Sequence, residues 1–417
     1  MAEMLQTTCC IVGGGPAGMM LGLLLARTGI DVIVLEKHKD FFRDFRGDTI
    51  HPSTLELMHE LGWLDDLLAQ PHEQINVLSV MFGDKSYPLP DFTHLPTTAK
   101  FIALMPQWDF LNFLAAKAAQ FPTFHLLMEH EVTGLLYSGT QVIGVQVKTP
   151  NGPIEIHAPL TVGCDGRHAT TVAAAHFDVI ERGVPIDVLW FRFSRRPNDP
   201  QNALGYFNHG RAAVLIDRHD YFQTAFLIRK GDFAAIQSAG LDDFKRCLAD
   251  LVPFLAIPDD RGHTRIDEIT SFGLCKLLTV QINHLHKWCA PGLLCIGDAA
   301  HAMSPVGGIG INIAIQDAVA AANILAKPLQ LATAARPVPC ATLALVQSRR
   351  EFAVRLTQFL QAQAHKVLLS ILRNPKDMQA PALLRFASRT PLIRRFLGRA
   401  IGMGALPEHI HSPSATP

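Results

Sequence analysis

Gly13, Gly15 and Gly18 carry the spacing G-x-G-x-x-G near the start of the chain, a pattern that offers backbone amides to a ligand where side chains would block it. The apolar run Cys9 to Val12 leads into them, Pro16 and Ala17 sit between the last two glycines, and helical apolar spacing continues from Met19 to Arg27. Gly29 stops that helix, and a second apolar run, Val32 to Leu35, ends at Glu36 and Lys37. Strand, tight turn, helix and strand in this order are the setting in which the motif binds a dinucleotide. Gly13 permits the turn, Gly15 lets backbone approach a pyrophosphate, and Gly18 lets the helix pack on the strand. The free amides and positive dipole at the helix start then face the phosphates. Glu36 stands where a carboxylate accepts from ribose hydroxyls.

The elements that position this stretch are spread along 417 residues, enough for two or three domains. Apolar residues make up 48% and charged residues 18%, the balance of a well-buried globular chain. Lys plus Arg equals Asp plus Glu at 37 each, so no overall field recruits nucleic acid or an anionic membrane. The eight cysteines show no C-x-x-C spacing and read as reduced thiols, and no leader or membrane-length apolar run is evident, so a cytoplasmic protein is expected.

Helices are expected over Ser53–Leu61, Trp108–Ala119 and Leu241–Leu251, and short strands from His125 to Lys148 and over Leu160–Cys164. Aromatic alternation from about 177 to 275 (Trp190, Phe191, Phe193; Tyr221, Phe222, Phe226) predicts a second sheet, with strands contributed from 75–105. Helices are expected again at about 341–373 and 380–404, followed by a loose tail. The expected division is therefore 1–74, 106–176 and 276–330 for nucleotide binding, 75–105 and 177–275 for the substrate sheet, and 331–417 for the C-terminal helices and tail.

Two further motifs follow strands: Gly163-Cys164-Asp165-Gly166-Arg167 and Gly297-Asp298-Ala299-Ala300-His301. Each alone is an ordinary strand-to-turn ending. In this order and separation the three motifs resemble the single-component FAD-dependent aromatic hydroxylases, the para-hydroxybenzoate hydroxylase family, over roughly residues 7 to 325. The resemblance implies an α/β fold: a Rossmann-like FAD-binding domain with an inserted β-sheet substrate domain and C-terminal helices. It further implies that Asp298 accepts from the ribityl chain, that Arg46 (with Arg43 nearby) reaches the pyrophosphate, and that Gln107 lies beside the ribityl or phosphate. Asp165 would contact both FAD and the nicotinamide nucleotide. Gly297, Pro305, Gly308, Gly310, Ile311 and Asn312 would border the flavin, with Gly307 in the same turn. Ala169, Thr170 and Ile309 depart from residues frequent in that family, and the W-x-W-x-I-P signature of flavin halogenases is absent.

The family chemistry is reduction of FAD by NADH or NADPH, reaction with O2, and oxygen transfer from a flavin 4a-hydroperoxide to an aromatic or polycyclic phenolic ring. Catalytic candidates are Pro305 at the flavin edge, Tyr206 and His209 as substrate-activating groups, with His51 and Tyr221 as alternatives, and Arg192 or Arg211 as partner of a substrate anion. The expected partners are the small aromatic substrate, O2 and NAD(P)H, in a monomer or homodimer, with no nucleic acid, metal or integral membrane segment. Two other functions compete. The segment ALLRFASRTPLIRRFLGRAIGMG has five arginines and no acid, which suits a membrane-associated hydroxylase of a lipid quinone precursor, and intact FAD motifs also suit a non-oxygenating reductase.

Overall fold

In the computed structural model, the described residues are 3–42, 49–200, 203–218, 220–373 and 380–414. Alternation along one strand explains the central layers. Cys9 and Ile11 point to one side of Cys9–Val12 and join a core with the helices Pro16–Arg27, Gln107–Ala118 and Gly310–Gln330. Cys10 and Val12 point to the other side, against Val145, Val147, Ile154 and Ile156 of a four-stranded sheet. A strand buried on both faces reads as a continuous apolar run, which CCIV is.

That strand is central in a six-stranded sheet. Its neighbours are Leu160–Gly163 on one side and Val32–Glu36 on the other, both parallel. Leu293–Cys295 and Phe124–Met128 extend the sheet in parallel, so the three chemical motifs all leave it at the same edge. Ligands bind at the carboxyl ends of such strands.

The second large sheet has seven strands: Lys276–Leu278, Ile186–Ser194, Tyr221–Arg229, Arg211–Asp217, Ala203–Asn208, Val77–Phe82 and Lys85–Asp91, in that spatial order. Two expected limits shift. Lys276–Leu278 pairs with Ile186–Ser194 and extends this sheet beyond 275. Ile102–Leu104 leaves it, pairing instead with Thr49–Ile50 and Glu73–Ile75. Both are short strands whose hydrogen-bond partners lie far away in sequence, so periodicity says nothing of their allegiance.

The long helix Cys340–Leu372 packs on Gly310–Gln330, and Ala382–Arg389 and Pro391–Gly402 lie against Lys85–Asp91. The part of the expected loose tail that is described, residues 405–414, is not loose. Glu408 is 4% exposed, its backbone N–H donates to Gln316, and its carboxylate meets Arg349 at 2.8 Å and Arg350 at 3.4 Å. Asn323 receives the N–H groups of His411 and Ser412. Polar composition concealed an ordered strap held by ion pairs. Among the described residues no helix is long and apolar enough to cross a membrane.

Candidate cofactor and active site

The glycine loop has two closed positions and one open one. Gly13 has φ +105° and an added Cβ would lie 2.5 Å from the Cys164 carbonyl oxygen; at Gly18 it would lie 2.0 Å from the Gly13 carbonyl. At Gly15 it would meet nothing within 4 Å. Gly15 is also the N-cap of Pro16–Arg27, with Pro16 at the first helical position and no side chain capping the first turn. The free amides there are the groups that satisfy a bound anion. Glu36 borders the loop, accepting from the N–H of Gly14 at 3.2 Å and of His38 at 3.0 Å, with Lys37 exposed beside it. The buried Ala17 reaches the third motif, its Cβ being 3.1 Å from where a Cβ on Gly297 would stand. An open backbone cradle, an uncapped helix start and an adjacent carboxylate fit the pyrophosphate and ribose of FAD.

Arg167 donates through Nε to Asp298 Oδ2 at 3.3 Å, which joins the second motif to the third. Asp298 is about a third exposed, open enough to accept from a ligand hydroxyl. Asp165 differs. Its two carboxylate oxygens accept from the N–H and hydroxyl of Thr171, at 2.9 and 2.7 Å, so its first task is to shape the loop after Gly163. Burial pushes its carboxyl pKa up, against the pull of those bonds.

The segment from His301 to Gly308 ends in a tight turn, with Gly308 N–H donating to the Pro305 carbonyl at 3.0 Å and Gly307 at φ +85°. Gly310 opens the helix Gly310–Gln330 directly after it, and Ile311 is buried. Asn312, expected against the flavin, is spent inside the protein. Its Oδ1 accepts from His51 N–H and the Thr54 hydroxyl, and its Nδ2 donates to the carbonyls of Thr49 and Gly308. It clamps the turn to the start of Pro52–Glu60. Gln107 is half-buried at the first position of its helix, followed by Trp108, whose ring lies 5.0 Å from that of Phe42. Arg43 and Arg46 lie outside the described residues.

His51 sits in this clamp, fully buried, with Nδ1 donating to the Ile401 carbonyl at 2.9 Å. Burial drives its pKa down to about 4, against the raising effect of the carbonyl. A buried neutral imidazole makes a poor solvent-coupled base, and His51 here ties the turn to the C-terminal helix. The unfolded chain takes up this proton below about pH 6.5 while the folded chain does not until about pH 4. His51 is therefore expected to cost the fold about 3 kcal/mol as pH falls through that window. Urea titrations should show a flatter pH dependence for His51→Gln; parallel curves would rule the effect out.

Sequence reasoning missed the scaffold behind the turn. Gln361 accepts from Ser304 N–H at 3.1 Å and donates to the carbonyls of Ser304 and Val306, while His365 Nε2 meets the Ser304 hydroxyl at 2.8 Å. Gln358 donates to the Asn283 and Ala302 carbonyls. Residues 350, 358, 361 and 365 share one face of Cys340–Leu372, and all are buried. Buried polar groups at intervals of three, four and eight were the available signal. Arg350 reaches further, to Asp317 at 3.0 Å, and Asp317 also accepts from His301 and from Gly297 N–H.

The seven-stranded sheet presents opposite faces. Cross-strand rows Gly205–Val214–Ala225–Trp190 and Ile216–Gln223–Arg192 share the face whose apolar cluster includes Val306 of the Pro305 turn. Tyr206 belongs to the row Tyr206–Ala213–Phe226–Leu189 on the other face, packed near Phe254 with its hydroxyl pKa pushed up to about 12 by burial. The catalytic role expected of Tyr206 is thereby corrected: strand alternation turns it away from the Pro305 turn and aims Phe207 there. His209 occupies the hairpin turn at φ +47°, off either face. Arg192 is exposed, its guanidinium 4.7 Å above the Tyr221 ring, and Arg211 pairs with Asp250 at 3.3 Å. Of the substrate candidates, only Arg192 and Tyr221 lie on the face toward Pro305.

A dinucleotide cradle, an aspartate after a parallel strand, and a glycine turn under a β-sheet define a flavoprotein of the para-hydroxybenzoate hydroxylase type. Comparison agrees: the FAD binding domain family model matches residues 6–337, and the chain belongs to that family of flavoprotein monooxygenases. It is 29% identical over 402 residues to the 6-methylpretetramide 4-monooxygenase of Streptomyces rimosus, covering 95% of this chain and 93% of the relative. It is 27% identical to the rifampicin monooxygenase of Rhodococcus hoagii, over 74% of this chain and 61% of the relative. The fold is similar to those of the anhydrotetracycline hydroxylase from Streptomyces rimosus (TM-score 0.73, 21% identity, 95% of this chain and 76% of that one) and of p-nitrophenol 4-monooxygenase from Pseudomonas putida DLL-E4 (0.73, 18%, 96% and 95%).

Proposed function

We propose that the chain uses NADH or NADPH and O2 to hydroxylate a polycyclic phenolic compound. Bound FAD supplies electron transfer from the nicotinamide and the activation of oxygen. The protein's part is to hold and shield. The helix start at Gly15 holds the pyrophosphate, Glu36 the ribose, and Asp298 the ribityl hydroxyls. The start of Gly310–Gln330 would offer its positive end to a bound flavin, where it would stabilise negative charge. The apolar row Trp190, Ala225 and Val214, with the small Gly205, provides a flat surface from which water is excluded. Gln223 and Arg192 on the neighbouring row provide polar contacts for oxygen substituents.

The observation carrying this reading is the likeness to a 6-methylpretetramide 4-monooxygenase across nearly the whole chain, joined to the broad apolar face that includes Val306 of the Pro305 turn. Screening polycyclic phenols for stimulated NAD(P)H oxidation is expected to find a compound that gains one oxygen atom, with O2 consumed in step. Stimulated oxidation that yields only hydrogen peroxide, or a hydrogenated product, would defeat it.

A further inference from the structure

We propose that the paired helices Ala382–Arg389 and Pro391–Gly402 form a docking face for an anionic lipid surface. Their inner side is built for close contact. A Cβ at Gly398 would lie 2.0 Å from the Asp91 carbonyl oxygen, and one at Gly402 would lie 2.9 Å from Leu95. Arg394 turns inward toward Asp91, at 3.8 Å. The second helix therefore lies flat along Lys85–Asp91, which leaves its other side outward.

The outward side combines large apolar groups with cations. Leu383, Phe386, Leu392 and Phe396 are 78, 61, 73 and 70% exposed, and Arg385, Arg389, Arg395 and Arg399 are exposed beside them. No acid occurs from 380 to 404. An open depression of about 480 Å³ lies at the inner edge, lined by His94, Leu95, Pro96, Arg395, Phe396 and Arg399. Two guanidiniums and an imidazole around apolar walls suit a phosphodiester with the head of an acyl chain. The acid nearest on the packed strand, Asp91, is mostly covered and faces Arg394 and His94.

Apolar groups bordered by arginines are what an interfacial helix presents to anionic lipid. A two-fold contact between copies would set the same arginines against one another, a like-charge juxtaposition that disfavours a dimer here. The arm also reaches the site: the Ile401 carbonyl accepts from His51, and Met403 shares an apolar cluster with Trp190. Docking would bring the apolar pocket wall close to the lipid. The proposal stands independently of the hydroxylation reading.

Holoenzyme is to be sedimented with vesicles of phosphatidylcholine alone or mixed with phosphatidylglycerol. Binding is expected to the mixed vesicles only and to fall with added salt. Changing Arg385, Arg389, Arg395 and Arg399 to Gln should weaken it by about ten-fold or more, each charge contributing near the surface, with FAD content and melting temperature unchanged. A single Phe396→Trp reporter, milder toward folding, should shift its fluorescence to shorter wavelength on mixed vesicles. No binding, equal binding to both vesicle types, or a reporter indifferent to mixed vesicles would overturn the proposal. So would a dimer in solution that Phe396→Ser dissociates, since that assigns the face to a second copy.

Discussion

Gly15→Val is expected to give a folded but colourless protein. A Cβ at Gly15 meets nothing within 4 Å, so the valine is accommodated by the protein and occupies the place of the pyrophosphate. Losing about two charge-assisted hydrogen bonds, each worth about 1.5 kcal/mol, lowers FAD affinity by about a hundred-fold. Circular dichroism and the melting of apoprotein should match wild type, while flavin absorbance is lost on gel filtration. Gly18→Ala supplies the contrast, because its Cβ would stand 2.0 Å from the Gly13 carbonyl and must destabilise the apoprotein itself. A yellow Gly15→Val protein, or one that fails to fold, would refute the assignment of this face to the cofactor.

The second large effect is expected at Arg350, which lies far from any motif. Arg350→Met strips Asp317 of its guanidinium and leaves a carboxylate with no exposure facing His301. Breaking one partner of a buried pair costs about 3–5 kcal/mol, which lowers Tm by about 5 °C or more. Burial alone would raise the Asp317 pKa, but His301 and then Arg350 outweigh it and hold the carboxyl below its ordinary value. A depressed folded pKa means stability that is present above the unfolded value of about 3.9 and lost as pH falls through the folded one. Arg350→Met should therefore flatten the acid limb as well as lower Tm. Asp317→Asn with Arg350→Met should recover part of the loss; a single variant melting within about a degree of wild type would sink the argument.

The chain's own order of residues was enough for the nucleotide cradle, because every determinant there is local. Gly13, Gly15 and Gly18 lie within six residues, and the strands that frame them declare themselves as apolar runs that are buried on both faces. The helix Leu241–Leu251 was legible to the residue for the same reason, its apolar period and its limits both lying in adjacent sequence. Asp165 and Asp298 were legible as motifs, but not in their partners. Thr171 and Arg167 reveal that one carboxylate shapes a loop and the other stays partly open.

Tertiary structure decided the rest, wherever two segments share one hydrogen bond or one face. Tyr206 and Phe207 are neighbours of similar composition, and only the pairing of Ala203–Asn208 with Arg211–Asp217 determines which of them faces the Pro305 turn. A shift of one residue in that register would exchange them. Asn312 looked like a cofactor contact until its four bonds to Thr49, His51, Thr54 and Gly308 were in view. Glu408 looked like part of a loose end, although it closes an ion-pair chain through Arg350 to Asp317. For Asn312 and Glu408 sequence carries no signature, because most of the partners that place them, such as Thr49 and Arg350, lie 58 to 263 positions away.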